Sequence, residues 1–223
     1  LRRQRQMCIR DRTTAFAEEE MMAYSAAPRH HLTVWYPSVG VYAARQGSWV
    51  LGAKFGSNGD SHNHNDVGSV TLYRDGRPLL IDVGVETYSK KTFSPQRYEI
   101  WTMQSGWHNL PQFDPDGAKY DQQPGAAFAA ADVTVTDALD GLAMDLAPAY
   151  GSVPGLGRYR RSVHLTDTGL TLHDETDYPG TVALTLMSVE KPTVDGDTVA
   201  FGALAAAAVT GADTASYTHL RAH

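Results

Sequence analysis

The sequence predicts an all-β fold, a multi-stranded antiparallel β-sandwich with a short helical or irregular segment before it. Short β-rich runs recur along the chain with turn signals between them, a pattern typical of stacked sheets. Asp75-Gly76, between two such runs, is the clearest hairpin signal, because a two-residue type I′ turn needs φ > 0 at both positions. With 223 residues, 42% of them hydrophobic, the chain is long enough to bury the core of one large domain.

The predicted strands form two groups, separated by a long polar connection. The first group lies at residues 32–36, 40–45, 48–55, 67–74 and 78–83. The second lies at 127–136, 142–150, 158–165, 169–175, 181–189 and 197–201, with turns at Asp167-Thr168-Gly169 and Asp195-Gly196. Residues 86–106 break this rhythm with a polar and aromatic run, and a long connection of that kind often carries function.

Both ends of the chain differ in composition from the middle. Residues 1–12 carry five arginines and the only cysteine, Cys8, and together with residues 216–223 they resemble translated sequencing-adapter read-through. We therefore predict non-native extensions at 1–12 and 216–223, a linker remnant at 13–29 and a β-sandwich domain at 30–215. The chain is then expected to be a fragment of a longer protein, and a native basic arm at 1–12 is the alternative.

Charge and the length of the apolar runs each argue against one class of partner. Leaving out residues 1–12 removes five Arg and one Asp, which moves the formal charge from −6 to −10. Such an acidic body disfavours nonspecific nucleic-acid binding, which depends on Lys and Arg at phosphates. No apolar run approaches the roughly 20 residues that cross a bilayer, so no membrane partner is expected.

The densest group of site-forming side chains lies at residues 59–67, which read Gly-Asp-Ser-His-Asn-His-Asn-Asp-Val. On a regular strand alternate side chains share a face, so His62 and His64 could reach a common centre. Imidazole serves either as a metal ligand or as an acid or base near neutral pH. Zinc accepts imidazole and carboxylate ligands, and the candidates for its remaining positions are Asp66, Asp82, His108, His164 and His173.

Strand geometry restricts which of these side chains can meet. With the turn at Asp75-Gly76, a straight ladder places Asp82 opposite Ser69, roughly 17 Å along the strand from His64. A metal site that uses both His64 and Asp82 therefore requires residues 65–68 to bend back. Gly68 permits such a bend at low steric cost.

Three segments that occur in order carry a resemblance to a known family. They are Ser61-His62-Asn63-His64-Asn65-Asp66-Val67-Gly68-Ser69, Leu80-Ile81-Asp82-Val83-Gly84 and His108-Asn109-Leu110-Pro111. Together they resemble the C-terminal β-sandwich domain of the heparinase II/III-like polysaccharide lyases. The resemblance covers about residues 30 to 190 and is strongest from 52 to 111.

The resemblance implies a fold, an activity and a set of site residues. Members join an N-terminal helical toroid to the β-sandwich, bind anionic uronate-containing polysaccharide between the two, and cleave it by β-elimination outside the cytoplasm, in the periplasm or after secretion. Carried over by motif, His62 would face the cleft as a catalytic or charge-neutralising group. His64, Asp82 and His108 would hold a structural Zn²⁺ with water as the fourth ligand. Because the toroid is missing, the chain alone is expected to cleave nothing measurable.

The irregular connection supplies candidate substrate contacts. Arg97 and Tyr98, with Lys90 and Lys91 near them in sequence, place positive charge and a phenol in an otherwise acidic chain, as a uronate subsite would need. We predict that Arg97 and Tyr98 bind substrate. The alternative is a surface charge and a core tyrosine.

Two other functions compete with the lyase. A noncatalytic carbohydrate-binding or structural β-sandwich is the first. The second is a metallo-β-lactamase-like hydrolase, whose His-x-His-x-Asp-His motif is matched by His62, His64 and Asp66 but fails at Val67. The polymer stays open among heparan sulfate, chondroitin, alginate and other uronans.

Overall fold

The computed structural model describes residues 33–211, which form sixteen β-strands and six short 3-10 helices. The chain divides into two units, Leu1–His31 and Leu32–His223, and the described residues lie in the second. The predicted extensions at 1–12 and 216–223 and the linker at 13–29 lie outside the described residues. Within 33–211, no helix is long and apolar enough to cross a membrane.

The strands are short and follow one another with brief connections. In chain order they are β1 Val34–Tyr36, β2 Val41–Gln46, β3 Trp49–Lys54, β4 Ser57–Asn58, β5 Val70–Arg74, β6 Arg77–Leu80, β7 Pro111–Phe113, β8 Gly125–Ala129, β9 Ala131–Val135, β10 Gly141–Asp145, β11 Tyr159–Leu165, β12 Leu170–Thr176, β13 Val182–Leu184, β14 Thr193–Asp195, β15 Thr198–Phe201 and β16 Ala205–Ala208. The 3-10 helices are Pro37–Val39, Lys91–Phe93, Pro95–Glu99, Trp101–Met103, Ser105–Trp107 and Ala147–Tyr150.

Two antiparallel sheets enclose the core. The five-stranded sheet has the order β1-β2-β3-β5-β6, and the four-stranded sheet has the order β12-β11-β10-β9. Alternate side chains of β3 and of β11 are buried and belong to one hydrophobic cluster, Trp49, Leu51, Ala53, Tyr159, Val163 and Leu165. Because period-two side chains from both sheets meet in one core, the predicted all-β sandwich is confirmed.

Three smaller sheets complete the described structure. They pair β4 with β8, β7 with β13, and β14 with β15 and β16. Pairing of β7 with β13 joins the segment after residue 106 to the C-terminal part of the domain. His108 lies three residues before β7, and the next residue, Asn109, donates to the carbonyl of Val70 on β5 at 2.7 Å, so this segment lies beside the five-stranded sheet.

The Asp75-Gly76 turn forms as predicted, but the strands beyond it do not keep the predicted register. Both residues have positive φ, 51° and 73°. Leu72 pairs with Leu80, which implies a one-residue bulge, and β6 ends there. Asp82 therefore lies beyond the ladder instead of opposite Ser69, which frees its side chain from the strand alternation.

The predicted bend after His64 is present. Gly68 has φ +89°, its N–H donates to the carbonyl of Lys54 at 2.8 Å, and the N–H of Ser69 donates to the carbonyl of Asp66 at 3.0 Å. This turn separates residues 61–67, which we call the histidine segment, from β5. His64 is therefore not on the ladder that the straight-strand estimate assumed.

Several predicted strands are divided or shortened. The run 127–136 forms two strands with different partners, because the N–H of Ala130 donates to Gly56 and the chain changes sheets there. The run 142–150 ends at Asp145, and the 3-10 helix Ala147–Tyr150 contains Pro148, which cannot donate to a ladder. Only 182–184 of the run 181–189 is a strand.

Candidate metal centre

Three side chains from three separate segments converge at one point. His64 lies in the irregular segment between β4 and β5, Asp82 follows β6, and His108 precedes β7. One ligand atom from each side chain lies within 4.8 Å of the others. These are the three residues that the resemblance implied as zinc ligands, and their role in binding metal stays a prediction.

The hydrogen bonds of His108 leave a lone pair facing a carboxylate. His108 is fully buried, and its Nε2 lies 3.1 Å from the carbonyl oxygen of Thr102, which can only accept a hydrogen bond. Nε2 therefore carries the ring proton, and in the neutral ring Nδ1 has a lone pair. Nδ1 lies 3.0 Å from Oδ2 of Asp82, so two acceptors face each other unless a proton or a cation lies between them. This donor set fits a divalent cation.

The electrostatics keep the other two side chains in their metal-binding forms. Burial is the main cause that lowers the pKa of His64, and neighbouring His108 lowers it further, which favours the neutral ring. Burial raises the pKa of the Asp82 carboxyl, but a proton held between it and Nδ1 of His108, followed by the N–H of Gly84 at 2.7 Å, lowers it more. The carboxylate is consequently ionised, and the donor set combines imidazole nitrogen with a negative oxygen, as zinc accepts.

Polar contacts hold each of the three residues that follow His64, which are Asn65, Asp66 and Val67. The Gln122 side chain accepts from the N–H of Val67 at 3.1 Å and donates to its carbonyl at 2.7 Å. The Asn65 side chain donates to the Gln122 carbonyl at 3.1 Å, and Asp66 forms an ion pair with Lys54. Because Gln122 and Lys54 together hold all three residues, the turn that follows His64 is fixed by polar contacts.

Asn109 connects the segment of His108 with that of Asp82. Its fully buried amide donates to the carbonyl oxygens of Val70, at 2.7 Å, and Ile81, at 3.0 Å, and its Oδ1 accepts from the N–H of Met187 at 2.6 Å. Ile81 directly precedes Asp82 and Asn109 directly follows His108. One amide side chain therefore ties the segment of His108 to the segment of Asp82.

Arg161 is a site residue that the sequence interpretation missed. It lies on β11, is fully buried, and pairs with Asp174 through Nε at 2.8 Å and Nη2 at 2.7 Å. Nη1 donates to the carbonyls of Gly68, at 3.0 Å, and Asn109, at 2.7 Å. The signal that could have found it is an arginine at a core-facing position of an alternating strand, between Tyr159 and Val163.

His62 lies outside the three-residue group. It is exposed and has φ +60°, and its ring centroid lies 6.2 Å from that of Tyr88 and 6.1 Å from that of Phe93. Residues 59–69 form no regular strand, so the period-two argument that put His62 and His64 on one face does not apply. His62 is thus open to solvent while His64 is buried.

Arg97 and Tyr98 both contact the histidine segment. The Arg97 guanidinium donates to the carbonyl of Asn63 through Nε, at 3.2 Å, and Nη2, at 2.7 Å, and to that of Thr92 at 2.8 Å. The Tyr98 hydroxyl donates to Oδ1 of Asn63 at 3.1 Å. Both side chains therefore hold the residue between His62 and His64, and their role as substrate contacts stays a prediction.

The other candidate ligands have partners elsewhere. His164 lies 3.5 Å from Asp140, and His173 lies 3.1 Å from Glu175. Asp66 is paired with Lys54 and is not in the three-residue group, so the geometry does not reproduce a His62, His64 and Asp66 metal site.

Comparisons with known proteins find one family model and several solved structures of similar fold. Residues 28–218 match the family model described as heparinase II/III-like, C-terminal. A heparinase III with methylated lysines superposes with a TM-score of 0.58 at 18% identity, over 79% of this chain and 27% of that chain. Heparan sulfate lyase HepC from Pedobacter heparinus gives a TM-score of 0.56 at 18% identity, over 80% and 28%. Another heparinase III gives 0.55 at 21% identity, over 79% and 28%.

These structural matches establish the fold. The chain spans less than a third of the length of each of the three structures. No curated protein matches the chain in sequence.

Proposed function

Because this chain belongs to the heparinase II/III-like C-terminal family, we propose that it forms one wall of the active site of a polysaccharide lyase. Its substrate would be an anionic polysaccharide that contains uronate. The solved structures that it resembles include a heparan sulfate lyase, which supports this substrate class. The observation that carries the proposal is the arrangement of the histidine segment, where His62 is exposed beside a buried group of His64, Asp82 and His108.

The proposed reaction is β-elimination. A base removes the proton on C5 of the uronate, the bond between C4 and the glycosidic oxygen breaks, and a C4=C5 double bond forms. The departing oxygen takes up a proton. Because the C5 proton is weakly acidic, the reaction needs hydrogen-bond donors or positive charge at the carboxylate and a positioned base and acid.

His62 would take part in proton transfer. An imidazole is suited to this role because its ordinary pKa lies near neutral pH. The exposed ring has direct access to a substrate, unlike the buried rings of His64 and His108. The positive φ of 60° directs the backbone at His62 away from the course of a strand, and we propose that the cleft lies on that side.

His64, Asp82 and His108 would hold a structural Zn²⁺. When bound, the ion would link three chain segments by coordination. The chain's own residues support this assignment, since Nδ1 of His108 faces the Asp82 carboxylate at 3.0 Å while Nε2 donates to Thr102. Fixing His64 would also fix the backbone at His62, two residues away.

Arg97 and Tyr98 would bind the uronate while holding Asn63. Their contacts with Asn63, between 2.7 and 3.2 Å, place both groups beside the histidine segment. A guanidinium can present further N–H groups to a carboxylate. We also propose that the opposite wall is the helical toroid of the family, that the enzyme acts in the periplasm or after secretion, and that this chain alone cleaves nothing measurable.

The test is product formation by the full-length protein. A 4,5-unsaturated uronate absorbs in the ultraviolet, so the rate can be followed directly on heparan sulfate, chondroitin and alginate. Replacing His62 by Ala should lower kcat about 10²- to 10⁴-fold, the usual contribution of a proton-transfer group. His62→Gln keeps a hydrogen-bond donor but cannot transfer the proton, so it should be equally slow.

The matched control is His173→Ala, which removes an exposed histidine bonded to Glu175 and should leave the rate unchanged. A His62→Ala enzyme with the wild-type rate would remove His62 from the mechanism. Unsaturated product from this chain alone would contradict the proposal that a second wall is required.

A noncatalytic carbohydrate-binding role is the second candidate. It is favoured by two exposed rings next to His62, since Tyr88 is 48% and Phe93 67% exposed, and flat rings of this kind stack on sugars. A full-length protein that binds the three polymers and releases no unsaturated product would establish this role instead.

A further inference from the structure

The buried guanidinium of Arg161 joins two segments that carry candidate metal ligands. The carbonyl of Asn109 directly follows His108, and the carbonyl of Gly68 lies four residues after His64. Both carbonyl oxygens accept from the same nitrogen, at 2.7 and 3.0 Å. Since one nitrogen holds both, the two oxygens lie within about 6 Å of each other. A side chain of the opposite sheet therefore sets the separation between the segment of His64 and the segment of His108.

The same connection extends to the third ligand. The Asn109 side chain donates to the carbonyl of Ile81 at 3.0 Å, and Ile81 directly precedes Asp82. Arg161 binds the Asn109 backbone and Asn109 binds the Asp82 segment. All three ligand segments thus depend, directly or through one amide, on the position of Arg161.

The position of Arg161 is itself fixed by Asp174, which is also bonded to Tyr159. Asp174, its direct partner on β12, accepts two bonds from the guanidinium and a third from the Tyr159 hydroxyl at 2.8 Å. Burial lowers the pKa of Arg161, but Asp174 raises it more, so the guanidinium stays charged. A planar guanidinium held by a carboxylate has its donor directions set, and the two N–H groups of Nη1 then point at the two carbonyls.

We propose that Arg161 is a positioning residue of the metal centre, which sets metal affinity by holding the segments of His64 and His108 at a fixed separation. This inference rests on the proposed zinc site. A buried ion pair adds little stability relative to apolar residues of similar size. Unlike an apolar residue, Arg161 fixes the positions of the two carbonyl oxygens by hydrogen bonds.

The test measures metal binding and stability on the same chain. Arg161→Lys keeps the charge next to Asp174 but loses the fork that reaches both carbonyls. Arg161→Met combined with Asp174→Leu removes both charges and leaves no unpaired ion. Leu165→Ala is the matched control, because Leu165 is a buried residue on the same strand and is bonded to none of the ligand segments through its side chain.

Three quantities are compared: zinc affinity by competition with a chromophoric chelator, the visible absorption of bound Co²⁺, and the urea unfolding midpoint of the metal-free chain. Arg161→Lys and the double variant should each bind zinc at least about tenfold more weakly, the lower end of the usual loss when a partner outside the ligand set is removed. Their Co²⁺ band should change in intensity and position. Leu165→Ala should unfold at lower urea with zinc affinity and Co²⁺ band unchanged.

The outcomes separate this inference from the metal site itself. If the wild-type chain binds neither Zn²⁺ nor Co²⁺, the metal site and this inference both fail. If the wild-type chain binds and either folded Arg161 variant keeps its affinity and its spectrum, the metal site stands and the positioning role is overturned. Equal losses of affinity in the Arg161 variants and in Leu165→Ala would assign the effect to stability and also overturn it.

Discussion

Replacing Gly68 by Ala should destabilise the bend that separates His64 from β5. Gly68 has φ +89°, and a Cβ added there would lie 2.5 and 2.6 Å from the two methyl carbons of Leu146 and 3.1 Å from its Cγ. A left-handed conformation costs a non-glycine residue about 1–2 kcal/mol. Leu146 is fully buried, so its methyl groups cannot move aside freely, and overpacking of this kind costs about 1–3 kcal/mol. The expected loss in the free energy of unfolding is about 2–5 kcal/mol.

Gly76→Ala is the matched control for this prediction. Gly76 also has positive φ, 73°, but an added Cβ would meet nothing within 4 Å. It should therefore lose only the conformational cost, about 1–2 kcal/mol. The difference between the two variants isolates the contact with Leu146.

The measurement is urea unfolding of the metal-free chain, followed by circular dichroism and tryptophan fluorescence. Truncating Leu146 in a Gly68→Ala, Leu146→Ala double variant should relieve the contact with the added methyl group. The loss of stability in the double variant should therefore be smaller than the sum of the losses in the two single variants, by about 1–3 kcal/mol. The reasoning is refuted if Gly68→Ala costs no more than Gly76→Ala, or if the two substitutions at positions 68 and 146 add independently.

Three further predictions concern the site and the charges around it. Asp66→Asn should keep zinc affinity within about twofold, because Asp66 pairs with Lys54 and not with the metal ligands. The variant should lose about 1 kcal/mol of stability, since it removes this partly exposed ion pair. Loss of zinc binding would instead support the His-x-His-x-Asp hydrolase. Zinc at 100 times its Kd should stabilise the wild-type chain by about 2.7 kcal/mol in urea unfolding, and Asp82→Asn should abolish this gain, whereas an equal gain in the variant would exclude Asp82 as a ligand. Backbone N–H groups, led by that of Arg158, lower the pKa of the Asp177 carboxyl, so its stabilisation is present above the ordinary pKa of 3.8 and lost as the pH falls through the lowered value. The stability difference between wild type and Asp177→Asn should therefore be constant between pH 5 and 7 and shrink below pH 4, and a difference that persists unchanged would show that the carboxylate charge is not its source.

Local sequence patterns predicted much of the fold because the forces behind them are local. Asp75-Gly76 formed its turn, since both residues adopt the positive φ that few other pairs tolerate. The strand boundaries after residue 127 were harder to predict. The division at Ala130 arises when its N–H binds Gly56, a contact that no local pattern records.

The sequence by itself determined the all-β class, the three segments that carry the family resemblance, and the need for a bend at Gly68, because strand alternation, turn preference and motif order are properties of neighbouring residues. Only the tertiary structure decided how those segments are held together. Arg161 reaches Gly68 across 93 positions of the chain and Asn109 across 52. Such bonds exist only after the two sheets pack, because burial then removes water and leaves each polar group to find its partner within the protein.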